Sequence, residues 1–303
     1  MPYVHTRDIK RDVLFRASEP IDGTSDWDSK VIEYINRVNR TLCTGVSEFL
    51  PEYVDDWWWL RASEVLTFLP VYNTGFVAVT QGSTSIIFNS APVDSLTGRR
   101  LKVVGEEDIP LIASHTGGAS SATLDQVWTG ETNVGAVFKA MKVDYSLSAS
   151  VQALMGPIVS FGKPLQIPIM SPERMDGEYP LGLLDSGVPM AAALISETAI
   201  RFSHGGMTDG SSLRLEARYR PVVSDLTDSE LSIPLIPLQW RHLLSDMALT
   251  YLLIDKNDDR SNAIALGART GLAAMLKDNR RRNVKIDTNS GHIRTRNSGR
   301  YHR

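Results

Sequence analysis

The chain has 303 residues, of which 42% are hydrophobic and 22% charged, with a formal net charge of −3. This is the composition of an ordinary globular protein of about two domains, able to bury a core and fold without staples. The single cysteine, Cys43, excludes an intrachain disulfide. No apolar leader opens the chain and no run approaches the ~18 apolar residues that cross a bilayer, so neither secretion nor membrane insertion is expected.

Ser25 to Gly45 reads as a helix, with Trp27, Val31, Tyr34, Ile35, Val38 and Leu42 recurring on one face. Ser25 or Asp26 is expected to cap its start and Gly45 to end it. Phe49-Leu50-Pro51 follows, then Asp55-Asp56 and three adjacent indoles, Trp57, Trp58 and Trp59. Adjacent side chains cannot all face one way, so at least one is expected at an element junction or a subunit interface. These three are the candidate interface residues.

From Glu64 to Tyr219 short runs of Val, Ile, Thr and aromatics alternate with Gly, Ser, Asn and Pro, the pattern of strands and turns. Phe76 to Thr80 and Ser85 to Phe88 flank Gln81-Gly82-Ser83-Thr84 as a hairpin. Further strands are expected at Arg100 to Val104, Pro110 to Ser114, Thr123 to Trp128, Ala136 to Tyr145, Met190 to Ile195 and Leu213 to Tyr219. Six prolines between Gly156 and Pro189 interrupt pairing, which points to a long loop or extended arm.

After Ile233-Pro234-Leu235-Ile236-Pro237, a helix with Trp240, Leu243, Leu244, Met247, Ala248, Tyr251 and Leu252 on a wide apolar stripe is expected. The polar turn Asp255 to Asp259 leads into a second helix, about Arg260 to Arg282, with Ile264, Ala268, Leu272 and Met275 inward. From Arg280 to Arg303 there are eight Lys or Arg against one acidic residue, Asp287. That formal +7 leaves about −10 for the rest of the chain, an acidic body with a cationic arm.

The expected fold class is therefore α+β: a helical core, made of an N-terminal helix and a C-terminal α-hairpin, with an inserted β-rich domain and an extended basic tail. The boundaries are 1–62 for the N-terminal helical segment and 63–232 for the β-rich insertion with its Pro-rich arm at 156–189. The α-hairpin takes 233–282 and the tail 283–303.

Chemistry is hard to find in this pattern. The six histidines, His5, His115, His204, His242, His292 and His302, show no metal-ligand spacing. Asp255 to Asp259 resembles the start of a calcium loop, but Arg260 and Leu266 stand where Gly and Glu are needed. His115-Thr116-Gly117-Gly118 and His204-Gly205-Gly206 resemble oxyanion-hole turns, yet no G-x-S-x-G nucleophile motif and no phosphate-binding Gly loop occurs. No catalytic, cofactor or metal residue is expected, and no enzymatic activity.

The order of residues is nonetheless similar to a known family. It runs from Asp26-Trp27 through Phe49-Leu50, Trp57-Trp58-Trp59, Gly75 to Thr84, Thr97-Gly98-Arg99, Thr123-Leu124-Asp125 and Thr129-Gly130. Leu226-Thr227-Asp228, Ile236-Pro237, Trp240, Leu243-Leu244, Ala248 and Asp258-Asp259-Arg260 complete it. It resembles the head-to-tail connector, or adaptor, proteins of tailed bacteriophages, most closely between Leu226 and Arg282. The Pro-rich stretch has no place in that pattern.

The resemblance implies a virion protein made in the host cytoplasm, a homo-dodecameric ring at the head-tail neck. Its partners would be the portal protein above and tail or neck proteins below, with genomic DNA passing through without specific binding. The portal-docking arm would be Arg280, Arg281, Arg282, Lys285, Arg294, Arg296, Arg300 and Arg303. A stopper or tail-terminator ring is the neighbouring alternative. A nucleic-acid-binding module using the basic tail is another, against which stands an acidic body without a basic-aromatic β face. A hydrolase or carbohydrate-binding β protein has only its aromatics and long loops in its favour.

Overall fold

The computed structural model describes residues 3–45, 48–50, 54, 57–181 and 185–289, excepting the side chains of 283–289. Five helices, α1 (Thr6–Arg16), α2 (Asp28–Thr44), α3 (Pro172–Glu178), α4 (His242–Asp255) and α5 (Ser261–Asn289), accompany fifteen strands among these residues. The chain divides into two compact units, Met1–Arg61 with Val223–Arg303, and Ala62–Val222.

In the first unit α4 lies against α1, α2 and α5. Nine of its fourteen residues are buried, including Leu249 and Leu253 outside the expected stripe, because a helix with neighbours on several sides needs an apolar surface on several sides. Trp240 falls before α4, in a 3-10 turn (Leu238–Trp240), and is only half-buried. α2 begins at Asp28 instead of Ser25, with the Ser25 hydroxyl accepting the Trp27 N–H at 3.2 Å. It stops at Gly45, whose φ of +73° suits glycine and whose missing Cβ would stand 1.8 Å from the Val54 carbonyl oxygen.

The sequence pattern had not pointed to α1. Its apolar contribution is narrow, Ile9, Val13 and Leu14, and Lys10 is buried beside them. The helix is secured by polar contacts. The Asp8 carboxylate accepts the His5 N–H at 3.0 Å, capping the first turn. Lys10 donates to Asp28 and, at 2.6 Å, to Asp228. Burial works against its charge, but those two hydrogen bonds outweigh it and its pKa is raised.

Among the described residues the second unit holds four antiparallel sheets. Its longest strand, β15 (Leu213–Pro221), turns Leu213, Leu215, Ala217 and Tyr219 inward and Arg214 and Arg218 outward, the two-residue period of a half-buried strand. Along one edge β15 pairs with β1 (Ala62–Phe68), from Ala62 opposite Tyr219 to Phe68 opposite Leu213. Along the other it meets β10 (Val151–Leu154) and β11 (Ile158–Ser160), the latter paired with β12 (Gln166–Ile167).

A second sheet has β5 (Ile112–His115), β6 (Ser121–Leu124), β3 (Ser85–Phe88), β2 (Val77–Val79) and β7 (Asn133–Ala136) in that order. The β2–β3 hairpin expected around Gly82 is present, with Val77 opposite Phe88 and Gly82 at φ +77°. β13 (Ala192–Ser196), β14 (Ala199–Phe202) and β9 (Asp144–Ser146) form a third sheet, and β4 (Arg100–Val103) with β8 (Phe138–Met141) a fourth. The single strand expected over Ala136 to Tyr145 is thus divided among three sheets, Ala136 ending β7, 138–141 forming β8 and 144–145 opening β9.

These elements correct the expected fold class. The structure does not single out a helical core carrying one inserted β domain, because its many strands are spread over several antiparallel sheets. They also sit on several separate apolar clusters. The Pro-rich stretch from 156 to 189 carries β11, β12 and α3, with Pro172 at the first turn of α3, where its missing N–H costs nothing. The first part of the expected extended tail is corrected as well, since α5 continues as helix through 283–289; residues 290–303 lie outside the described residues.

Candidate interaction surface

Two of the residue sets singled out in the sequence meet at the C-terminal half of α5. Trp57 is extended and Trp58–Leu60 form a 3-10 turn, whose three residues per turn send successive side chains in different directions. Trp57 enters the core, 1% exposed, and its Nε1 donates to the Leu42 carbonyl at 2.7 Å. Trp58 and Trp59 are half-buried, with their rings 6.0 Å apart and nearly perpendicular, and the indole Nε1 of each is covered without an acceptor. Leu60 returns to the core.

Trp58 is tied to α5 twice. Its N–H donates to Asn279 Oδ1 at 3.0 Å, and the Arg282 guanidinium lies 4.1 Å from the centre of its ring. Asp278 positions that arginine, accepting from Arg282 Nε at 3.1 Å and from Gln239 Nε2 at 3.3 Å. Arg282 is therefore engaged inside its own unit. Arg280 and Arg281 are exposed on the same helix, as is Lys277. The Lys285 side chain and Arg294, Arg296, Arg300 and Arg303 lie outside the described residues.

Gln239 also links this corner to an apolar ribbon that the sequence reading passed over. Leu231, Ile233, Leu235 and Leu238 are exposed, Leu231 by 91%, while Ile236 between them is fully buried. Arg241 holds the ribbon's backbone in place. Its Nε donates to the Ile236 carbonyl at 2.8 Å, Nη2 to Pro234 at 3.0 Å, and Nη1 to Tyr3 and Val4. Burial lowers its pKa. The alternation of apolar residues at 231, 233 and 235 was the available signal, hidden because the two prolines read as punctuation before a helix.

The surface thus places large apolar side chains beside tryptophan and arginine, the residue types that dominate protein-protein contacts. Isolated exposed leucines carry little meaning. A ribbon of them on an anchored backbone is the kind of patch that marks an interaction site.

The histidine turns serve the fold. His115 is buried; its Nδ1 accepts the Leu96 N–H at 3.1 Å, and its Nε2, 3.0 Å from the Ala119 carbonyl, must donate there. Ser203 Oγ lies 2.9 Å from His204 Nδ1 but is buried and accepts the N–H groups of Met190 and Ala191, which holds it as a loop anchor. Burial lowers the His204 pKa. Cys43 is enclosed too, and its thiol is pushed up to about 12 by burial, far from the reactive range.

Among the described residues no group of His, Cys, Asp or Glu is arranged to hold a metal ion, and no helix is long and apolar enough to cross a membrane. The Asp258 carboxylate is drawn down to about 2 by its side-chain hydrogen bond to Arg260, whose Nη2 stands 2.7 Å away, so that turn is closed by an ion pair of its own. Searched against known protein families and against curated proteins, the chain matches none.

Proposed function

We propose that this chain is a structural virion protein, an adaptor ring at the head-tail neck of a tailed phage that joins the portal to the tail and lets DNA pass. The observation that carries the reading is the surface at α5, where Trp58, Arg282 and the ribbon Leu231 to Leu238 combine anchored apolar and cationic groups suited to a protein partner. The residue order from Asp26 to Arg260 supports the choice of family. The charge distribution supports the conduit, since an acidic body repeated around a ring lets a polyanion slide without sticking.

In this reading the ribbon and the half-buried tryptophans meet protein neighbours, and the exposed cations of α5 face carboxylates on the portal. Native mass measurement of the purified chain, alone and with portal protein, tests it. A ring, or a stoichiometric complex with portal, is expected. Truncation after Arg282 should leave the first unit folded, because the Trp58 and Asp278 contacts remain, yet weaken portal binding in a salt-sensitive way. A protein that stays monomeric, ignores portal and binds DNA with a steep salt dependence would be a nucleic-acid module instead.

A further inference from the structure

In the second unit the segment 185–191 runs against the turn that follows β14 and is tied to it at both ends. At the first end backbone meets backbone: the Gly187 N–H donates to the Gly206 carbonyl at 2.8 Å, and the Gly205 N–H to the Asp185 carbonyl at 2.9 Å. The second end depends on a side chain. The successive N–H groups of Met190 and Ala191 donate to one atom, Ser203 Oγ, at 2.9 and 3.1 Å, and the Ser203 N–H returns a bond to the Ala191 carbonyl at 3.0 Å. Ala191 is 1% exposed and Ser203 6%, so water does not stand in for that hydroxyl.

Counting donors fixes the protonation state of the neighbour. A serine hydroxyl has one hydrogen and two lone pairs, and here both lone pairs are taken by Met190 and Ala191. The hydrogen must therefore point to His204 Nδ1, 2.9 Å away. Nδ1 is thus the bare nitrogen, and the proton of the neutral ring sits on Nε2. A protonated imidazole brings a second hydrogen into this contact, where Ser203 Oγ has no lone pair left. It is accommodated only if Met190 or Ala191 gives up its acceptor or the ring swings away.

His204 is only half-buried, so protons reach it. Burial lowers its pKa from the ordinary 6.5, with the Asp185 charge opposing. Asp185 accepts the Ser186 N–H at 2.7 Å and lies 3.6 Å from Lys139 Nζ, which offsets part of that charge. The Tyr179 ring stands 6.1 Å from the imidazole. A histidine whose pKa falls on folding contributes stability that is fully present above its unfolded value and is lost as pH drops through the folded value. The contact is therefore intact above pH 6.5 and is lost progressively below it.

We propose that Ser203 and His204 form an acid-sensitive latch, in which the neutral imidazole orients the Ser203 hydroxyl to hold the Met190 and Ala191 amides and protonation loosens that end of the 185–191 segment. The Gly187–Gly206 end has no titrating partner and stays tied. The inference is independent of the neck reading.

Hydrogen exchange of the full chain at about pH 7.5 and about pH 5, corrected for the intrinsic rate at each pH, is the test. Acid should lower the protection of the Met190 and Ala191 amides roughly tenfold or more, as loss of a buried acceptor does, and leave Gly187 and Gly205 much less affected. His204→Asn puts an amide oxygen near the position of Nδ1 and does not titrate, so protection at 190–191 should persist in acid. Ser203→Ala should lower it at both pH values. Nitrogen NMR of the His204 ring should show the Nε2–H tautomer at the higher pH. His115, the other histidine of this unit, is bonded to Leu96 and Ala119, so its titration is read there and not at Met190. Equal protection of 190–191 at both pH values, an acid effect that survives in His204→Asn, wild-type protection in Ser203→Ala, or a proton on Nδ1 at the higher pH would overturn the latch.

Discussion

The first unit gathers its apolar side chains, from Ile9 to Leu276, into one cluster around α4, whereas the second divides them mainly between two clusters, each shared by two sheets. The difference follows from geometry. A helix surrounded by helices shares each buried residue with several neighbours, while a short strand turns one face to one layer and alternates the rest outward. Damage to α4 should therefore spread through its unit, and damage to a strand should stay within its cluster.

The sharpest way to break that comparison is a pair of core truncations. Leu244→Ala and Phe138→Ala each remove a fully buried side chain and should cost about 3–5 kcal/mol. Hydrogen exchange distinguishes them: Leu244→Ala should expose amides of α1, α2 and α5 together, Phe138→Ala chiefly those of β4, β8 and the strands of their cluster. Faster exchange confined to α4 would mean the first unit is not one cooperative body.

Lys10→Ala probes how far the first unit depends on polar ties as well as packing. The lysine side chain is 7% exposed, but Asp28 and Asp228 keep 27% and 40% exposure, so solvent relieves part of the loss. The unfolding free energy from denaturant titration should fall by about 2 kcal/mol, short of the ~3–5 for breaking a fully buried pair. An unchanged midpoint would show that α1 is held by Ile9, Val13 and Leu14 alone.

Trp240→Ala should cost only about 1 kcal/mol, as the indole is half-buried and its Nε1 has no acceptor to lose. A loss comparable to Leu244→Ala would place Trp240 in the core after all.

The smallest effect concerns acid. Lys256 donates to Glu19, and this hydrogen bond lowers the Glu19 pKa below its ordinary value of 4.5. A depressed carboxylate contributes stability above its unfolded pKa and loses it as pH falls through the folded value. Between pH 6 and pH 3 the wild type should therefore lose slightly more stability than Glu19→Gln, by urea unfolding at each pH. Equal losses would show that the Glu19–Lys256 tie contributes nothing.

How legible the chain was depended on whether a residue's environment is local. α2, its Gly45 stop, the β2–β3 hairpin and the inward alternation of β15 follow from periods of 3.6 and 2 and from glycine's tolerance of positive φ, all properties of neighbouring residues. α1 escaped notice because one of its inward positions is a lysine, acceptable only once Asp228, far along the chain, is in place. The candidate surface was half legible. The tryptophans and arginines stood out by composition, but the Leu231 to Leu238 ribbon shows as a surface only after Arg241 has pinned its backbone.

By itself, the sequence determined the helical periodicities, the strand-rich middle, the single thiol and the separation of an acidic body from a cationic end. Only the tertiary structure decided that the strands form several sheets, that Trp57 is core while Trp58 meets Arg282, and that Lys10 is buried against Asp28 and Asp228. The reason is range. Propensity and period act over a few residues, whereas sheet pairing, burial of a charge and the meeting of Trp58 with Arg282 join positions separated by much of the chain.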